Sequence, residues 1–250
     1  MRIGGEGSTA LRPLARAGEL VGEVLWPTRC VGCGMPGELL CEDCRKALPW
    51  VAQRWACPNC GAPFGGLTCT ECGERWETRV CVCALGFRGT PARLVTDYKD
   101  GGERRLAPVI AAALEVALTE ASALPAEDGA LRFDADAIDG VCFVPATPAA
   151  YARRGFDHME DVARELSQLL GLPLADVLVR DDARDQRLLG REARSANLSD
   201  GIGVLGDVCG MDLLLVDDVV TTGATVRACA RALLARGASS VTACALARVW

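Results

Sequence analysis

The sequence predicts an α/β protein: a central, mostly parallel sheet flanked by helices, preceded by a small cysteine-rich head. Three observations carry this. Ten of the 14 cysteines lie between Cys30 and Cys83, and only four are scattered beyond. From Arg79 onward, apolar strand-like runs alternate with helical stretches, the pattern of strand–helix–strand units. One of those runs, residues 211–218, is continuously apolar until it meets two carboxylates, the kind of strand that parallel sheets bury on both faces.

Composition sets the outer limits. Of 250 residues, 50% are hydrophobic and 24% charged, an ordinary globular balance that excludes a wholly disordered chain, a collagen and a coiled coil. No apolar run approaches the ~18 residues of a spanning helix, so no membrane insertion is expected. The first twenty or so residues contain no signal-like apolar stretch, which leads to the expectation of a cytoplasmic protein. A net charge of −6 argues against nucleic-acid binding over the whole surface and leaves room for a local basic strip.

The elements follow in order. Residues 1–27 read as a tail and a short helix, with Leu14, Ala17, Val21, Val24 and Leu25 on one face and Pro27 as its stop. Residues 28–78 form the head. They have almost no periodicity and too few apolar residues to fold without staples. Residues 79–250 form the body. Strands are predicted over 79–88, 138–145, 174–180, 211–218 and 241–249. Helices are predicted over 91–98, 103–122, 158–171 and 224–236, the last ended by Gly237. The stretch 181–201 is charged and shows no period.

Four Cys-x-x-Cys pairs stand in the head: Cys30/Cys33, Cys41/Cys44, Cys57/Cys60 and Cys69/Cys72. The pattern is one four-cysteine motif written twice with nearly equal spacing. Thiols in a reducing compartment bind metal rather than form a disulfide framework. A redox Cys-x-x-Cys is expected once, at a helix start, not four times in an unstructured stretch. Four thiolates around a cation make a closed, structural zinc site, so two structural Zn²⁺ are expected. Sequential pairing, one ion per half, is preferred; a cross-braced arrangement stays open. Gly34, Gly61 and Gly73 follow three of the pairs, where such turns favour positive φ. Cys81 and Cys83 read as small buried hydrophobes.

The most specific string of the body is residues 213–225. Asp217 and Asp218 end the buried strand, and the loop Thr221, Thr222, Gly223, Ala224, Thr225 opens a helix. The loop offers backbone N–H groups, three hydroxyls and the positive end of a helix dipole, which suit a phosphate monoester. Gly223 is read as letting the backbone approach that phosphate closely. Carboxylates would repel a phosphate, so Asp217 and Asp218 suit hydroxyls or Mg²⁺, and the expected ligand carries both a phosphate and a diol. Gly201, Gly203 and Gly206 match a dinucleotide fingerprint only literally. They precede a strand rather than follow one, and are read as a flexible connection.

The string closely resembles the signature of the type I phosphoribosyltransferases. The resemblance implies that fold, with Asp217 and Asp218 holding ribose hydroxyls and residues 221–225 holding the 5′-phosphate. The chain as a whole is similar to one branch, the ComF family, in which a double zinc ribbon precedes the phosphoribosyltransferase domain and members are tied to DNA uptake in competence. The residues carrying this are the cysteine pairs, Tyr98-Lys99 with Gly101-Gly102, Val144-Pro145, Arg153-Arg154-Gly155-Phe156, and Gln186 with Arg191, Arg194 and Asn197. By the resemblance, Arg153 and Arg154 meet pyrophosphate, and Arg191 joins Asp217 and Asp218 as a candidate catalytic residue. Permanently charged, planar guanidinium groups suit a departing pyrophosphate. The chain departs from the family pattern at Asp157-His158, where Asn-Gln is expected. His158, the single histidine, is read as a helix-start residue rather than a catalytic base.

Two function classes follow. In one, the protein binds phosphoribosyl pyrophosphate or a ribose 5-phosphate nucleotide with Mg²⁺ and transfers phosphoribosyl to a nitrogen acceptor. In the other, it is a non-catalytic DNA-uptake accessory that binds single-stranded DNA or a competence helicase. An arginine strip of Arg180, Arg184, Arg187, Arg191 and Arg194 favours the second. The interleaved acids and the lack of stacking aromatics in that strip disfavour it.

Overall fold

The computed structural model describes residues 27–180 and 201–250. The expected helix over 14–25 lies outside these residues, as do Arg184, Gln186, Arg187, Arg191, Arg194 and Asn197. Among the described residues no helix is long and apolar enough to cross a membrane.

The chain divides into two compact units, the boundary falling between Ala47 and Leu48. The composition changes near Arg79, but residues 48–78 belong to the larger unit. The smaller unit contains the first four cysteines and a short helix α1 (Glu42–Lys46), whose acidic first turn and basic last turn complement its dipole.

The larger unit is built on strands β1 (Val80–Gly86), β2 (Gly140–Phe143), β5 (Asp212–Val220) and β6 (Ser240–Arg248). They form one sheet of order β1-β6-β5-β2 with every pairing parallel. A separate antiparallel ribbon pairs β3 (Leu178–Arg180) with β4 (Ile202–Val204). Helices α2 (Thr90–Lys99), α3 (Ala107–Ala121), α4 (Pro148–Arg154), α5 (His158–Leu170) and α6 (Ala224–Ala235) complete the unit.

Alternation along the strands sorts the core into two faces. Cys81, Cys83, Cys142, Leu213, Leu215, Ala243 and Ala245 share one cluster with α6, the β3–β4 ribbon, Cys57, Cys60 and Trp76. The alternate residues face α3 and α5, which pack on each other and on the sheet. The second cysteine group is therefore part of the main core. β1 is an edge strand, and residues 48–58 cover that edge. Val51 N–H donates to Ala84 O at 2.9 Å, Gly86 N–H to Pro49 O at 2.9 Å and Cys81 N–H to Pro58 O at 2.8 Å.

Several element limits differ from the expectation, each for a physical reason. β5 continues to Val220 because β6 pairs with it as far as Arg248, so Asp217 and Asp218 stand within the strand rather than at its end. Of the strand expected over 174–180 only Leu178–Arg180 forms a ladder, and Leu174 makes an isolated bridge to Val141. The reading of Gly201, Gly203 and Gly206 as a connection is corrected. Ile202 and Val204 are buried and pair with β3. Helix α4 was not expected, although its signal is local: Thr147 accepts from Ala150 N–H at 3.1 Å and Pro148 occupies the first turn.

Candidate functional site

The eight cysteines gather as two groups, Cys30/Cys33/Cys41/Cys44 and Cys57/Cys60/Cys69/Cys72, with the sulfurs of each group all within 4.8 Å of one another. This is the sequential grouping. Close sulfur pairs lie 3.7 Å apart (Cys33–Cys41), 3.7 Å (Cys57–Cys72) and 3.6 Å (Cys60–Cys69). A tetrahedron of Zn–S bonds near 2.3 Å places its sulfurs about 3.8 Å apart, so both groups fit zinc. In each, the first pair forms the same turn. Gly34 N–H donates to Cys30 O and Gly61 N–H to Cys57 O, and both glycines have positive φ, 78° and 71°. Gly73 does not share that conformation. In the second group a hydrogen bond from Cys60 brings the Cys57 thiol down to about 5 while Cys60 is pushed up, so one sulfur is a ready thiolate ligand.

A cleft of about 580 Å³ opens at the carboxyl ends of β2 and β5, the usual ligand position of open α/β sheets. Asp217 and Asp218 form part of its wall, with Thr221 and Thr225 beside them and Lys99, Arg154 and Arg180 as its cations. Asp217 is 7% exposed, and burial together with the neighbouring Asp218 charge pushes its carboxyl well above the ordinary range. Burial acts on Asp218 in the same direction. The hydrogen bond from His158 and the charge of Lys99 outweigh it and hold Asp218 low. Lys99 Nζ lies 2.6 Å and His158 Nε2 3.2 Å from Asp218 Oδ2. The two carboxyls are thus driven apart, Asp217 toward its neutral form and Asp218 toward its ionised form.

Local structure explains how these groups converge. Asp157 caps α5 by accepting from Met159 N–H at 2.9 Å, and its other oxygen accepts from Ala146 N–H at 2.7 Å in the loop after β2. His158 therefore begins the helix, as expected, and is also turned into the cleft. Arg154 Nη1 lies 3.4 Å from His158 Nδ1. A guanidinium only donates, so Nδ1 accepts and the proton sits on Nε2, directed at Asp218. Tyr98 donates to His158 O at 2.5 Å, bringing the end of α2, and so Lys99, against the start of α5.

The other expected site residues are placed as follows. Arg154 is buried along the cleft, with a hydrogen bond to Asp100 at 3.3 Å. Arg153 is exposed, 3.2 Å from the same Asp100, and does not line the cleft. Thr221, Thr222 and Ala224 are exposed, and Thr222 Oγ1 accepts from Ala224 N–H at 3.3 Å. Gly223 has φ 79° and precedes α6 as its cap. The direction in which its side chain would project is filled by the indole of Trp76, closer than van der Waals contact permits. Its missing Cβ thus makes room for Trp76. Arg191 lies outside the described residues.

Sequence reasoning gave no site role to Lys99, Asp100, His158 or Trp76. Lys99 was visible in the Tyr98-Lys99 string. His158 stood out at the Asp157-His158 departure, but its meeting with Asp218 spans 60 residues, and Asp100 and Trp76 carry no local signal because Arg153 and Gly223 are distant in the chain.

Residues 149–249 match the Phosphoribosyl transferase domain family. The DNA utilization protein YhgH of Salmonella typhi is 31% identical over 235 residues, covering 89% of this chain and 97% of that protein. The competence protein ComFC of Streptococcus pneumoniae is 25% identical over 215 residues, covering 84% and 87%. Among solved structures, that of HGPRT-ase from Leishmania tarentolae in complex with GMP aligns over 57% of this chain and 65% of its own, at 18% identity and a TM-score of 0.30.

Proposed function

Because the chain belongs to the ComF family, in which a cysteine-rich double ribbon precedes a phosphoribosyltransferase domain, we propose that its cleft binds phosphoribosyl pyrophosphate or a ribose 5-phosphate nucleotide together with Mg²⁺. The observation that carries the reading is the meeting, in one cleft, of two adjacent carboxylates, a hydroxyl-bearing loop at a helix start and three cations. The N–H groups of the first turn of α6 have no partner within the helix and, with Thr221 and Thr225, suit the 5′-phosphate. Asp217 and Asp218 suit the ribose diol. A Mg²⁺ beside them would supply charge that offsets a second ionised carboxylate and the pyrophosphate oxygens.

Transfer to a nitrogen acceptor is part of the proposal. The chain's own contribution is electrostatic. Lys99, Arg154 and Arg180 line the cleft and suit the charge that a leaving pyrophosphate would gather, and no covalent nucleophile is called for. Two bound structural Zn²⁺ ions and a cytoplasmic setting, where the thiols stay reduced, belong to the same reading.

Titration with phosphoribosyl pyrophosphate and Mg²⁺ tests it. Wild type should bind, and Asp217→Asn with Asp218→Asn should weaken binding at least about tenfold by removing charge-assisted contacts. Equal affinity in both proteins sinks the binding proposal. Pyrophosphate release in the presence of a panel of amines and bases then separates transfer from binding alone.

A second reading, a DNA-handling accessory as the names of the relatives suggest, is favoured by one observation. Trp55 and Phe64 are exposed beside the second cysteine group, and the Arg54 guanidinium lies 5.5 Å from the Trp55 ring. Such a pair suits base stacking. Wild type that binds no single-stranded DNA sinks this reading, and binding that survives Trp55→Ala with Phe64→Ala rules out these aromatics as its stacking site.

A further inference from the structure

Two short lines of contacts join the second cysteine group to the ligand loop. The first begins at Asn59, inside the Cys57–Cys60 turn. Its Oδ1 accepts from Trp76 N–H at 2.8 Å and its Nδ2 donates to Glu74 O at 2.8 Å, which fixes the backbone that carries Trp76. The Trp76 indole then lies against Gly223. The second line is Arg248, buried at the end of β6. Its Nε donates to Cys60 O at 3.0 Å, and its Nη1 donates to Val220 O and Thr221 O at the start of the loop. One guanidinium therefore bridges a metal-ligand residue and a phosphate-loop residue.

The electrostatics agree with a metal at that position. Among the described residues Arg248 and Arg132 donate to backbone carbonyls rather than carboxylates. Arg132 Nη1 reaches Gln53 O at 2.6 Å and Ala56 O at 3.3 Å, next to Cys57. Two buried cations without an acidic partner are costly unless a negative group lies near. A zinc ion held by the four thiolates of Cys57, Cys60, Cys69 and Cys72 would carry a net double negative charge and would be that group.

We infer that the second cysteine group is a positioning device for the ligand loop: through Asn59–Trp76 and through Arg248 it fixes residues 221–225 in the shape that receives phosphate. Loss of its metal, or of either contact line, loosens the loop. The consequence for affinity rests on the phosphoribosyl reading above; the mechanical coupling does not. Trp76 and Arg248 are positioning residues that need not touch the ligand.

The experiment compares full-length wild type, Trp76→Leu, Arg248→Lys and Cys33→Ser. Three measurements are made on each: metal content, amide hydrogen exchange of peptides covering 221–225, and affinity for phosphoribosyl pyrophosphate with Mg²⁺. Trp76→Leu and Arg248→Lys should exchange faster in the loop and bind roughly ten- to a hundredfold more weakly, as a displacement of about an ångström commonly causes. Cys33→Ser should lose metal from the first group and change neither loop exchange nor affinity. Gradual chelation of wild type should speed loop exchange as the second ion leaves, and this arm decides if Trp76→Leu does not fold. Wild-type loop exchange in Trp76→Leu and Arg248→Lys, or in protein stripped of the second ion, overturns the inference. If wild type binds no phosphoribosyl compound, the ligand reading fails and the exchange data still decide the coupling.

Discussion

The two cysteine groups share a spacing, a turn and a hydrogen-bond pattern, yet they occupy unlike places. In the first, Cys30 N–H donates to Met35 O, and Met35 is 63% exposed. In the second, Cys57 N–H donates to Ala62 O, and Ala62 is 1% exposed. A Cβ on Gly34 meets nothing, whereas one on Gly61 runs into the Cys83 sulfur on β1. The same local device therefore serves as a staple of the smaller unit in one copy and as part of the larger unit's main core in the other. What differs is the surroundings: the second copy lies on an edge strand and on the sheet face shared with α6.

The most severe test of that contrast removes the ligands. Cys57→Ser with Cys60→Ser should destabilise the unit containing residues 48–250 by roughly 3 kcal/mol or more, since metal binding there is folding free energy. Cys30→Ser with Cys33→Ser should release one metal ion and leave that unit's unfolding unchanged within about 0.5 kcal/mol. Denaturant unfolding with metal analysis measures both, and equal losses would break the comparison.

A subtler test uses the matched glycines. Gly34→Ala and Gly61→Ala each incur the left-handed backbone strain of about 1 kcal/mol. Gly61→Ala must also displace Cys83, adding about 1–3 kcal/mol of overpacking. The difference between the two variants isolates the packing of the second turn on β1.

The acidic pair sharpens the comparison at the other end of the core. Asp217 has a raised folded-state pKa, so its contribution to stability is fully present below the ordinary carboxylate value near 4 and is lost as pH rises through the folded value. Asp217→Asn should flatten that decline and leave the protein more stable than wild type at alkaline pH, even while the proposed ligand binding is weakened. Unfolding measured across pH decides it. A wild-type slope retained in Asp217→Asn shows that another group carries it.

The smallest expected effects concern charge. Glu77 joins residues beyond the second group to α6, with Arg227 Nε at 2.9 Å and both side chains about three-quarters covered. Glu77→Gln should cost about 1 kcal/mol, whereas Glu42→Gln, which removes an exposed pair with Lys46 on α1, should cost too little to measure.

The sequence alone determined the four Cys-x-x-Cys pairs, the strand–loop–helix of residues 213–225 and the alternation that makes a parallel sheet. Each is written in short-range spacing or local periodicity, where a few neighbouring residues suffice. It also held the cap of α4, Thr147 before Pro148, which a closer reading of local signals finds. Only the tertiary structure decided which cysteine group joins the core, because both have the same local pattern. It alone brought Lys99 and His158 to Asp218, across 119 and 60 residues of chain. It likewise set Trp76 against Gly223, so that a glycine suited to phosphate by its motif is required there by an indole. Contacts of that separation follow from how the sheet is ordered and which face each helix covers, and no local pattern of residues records them.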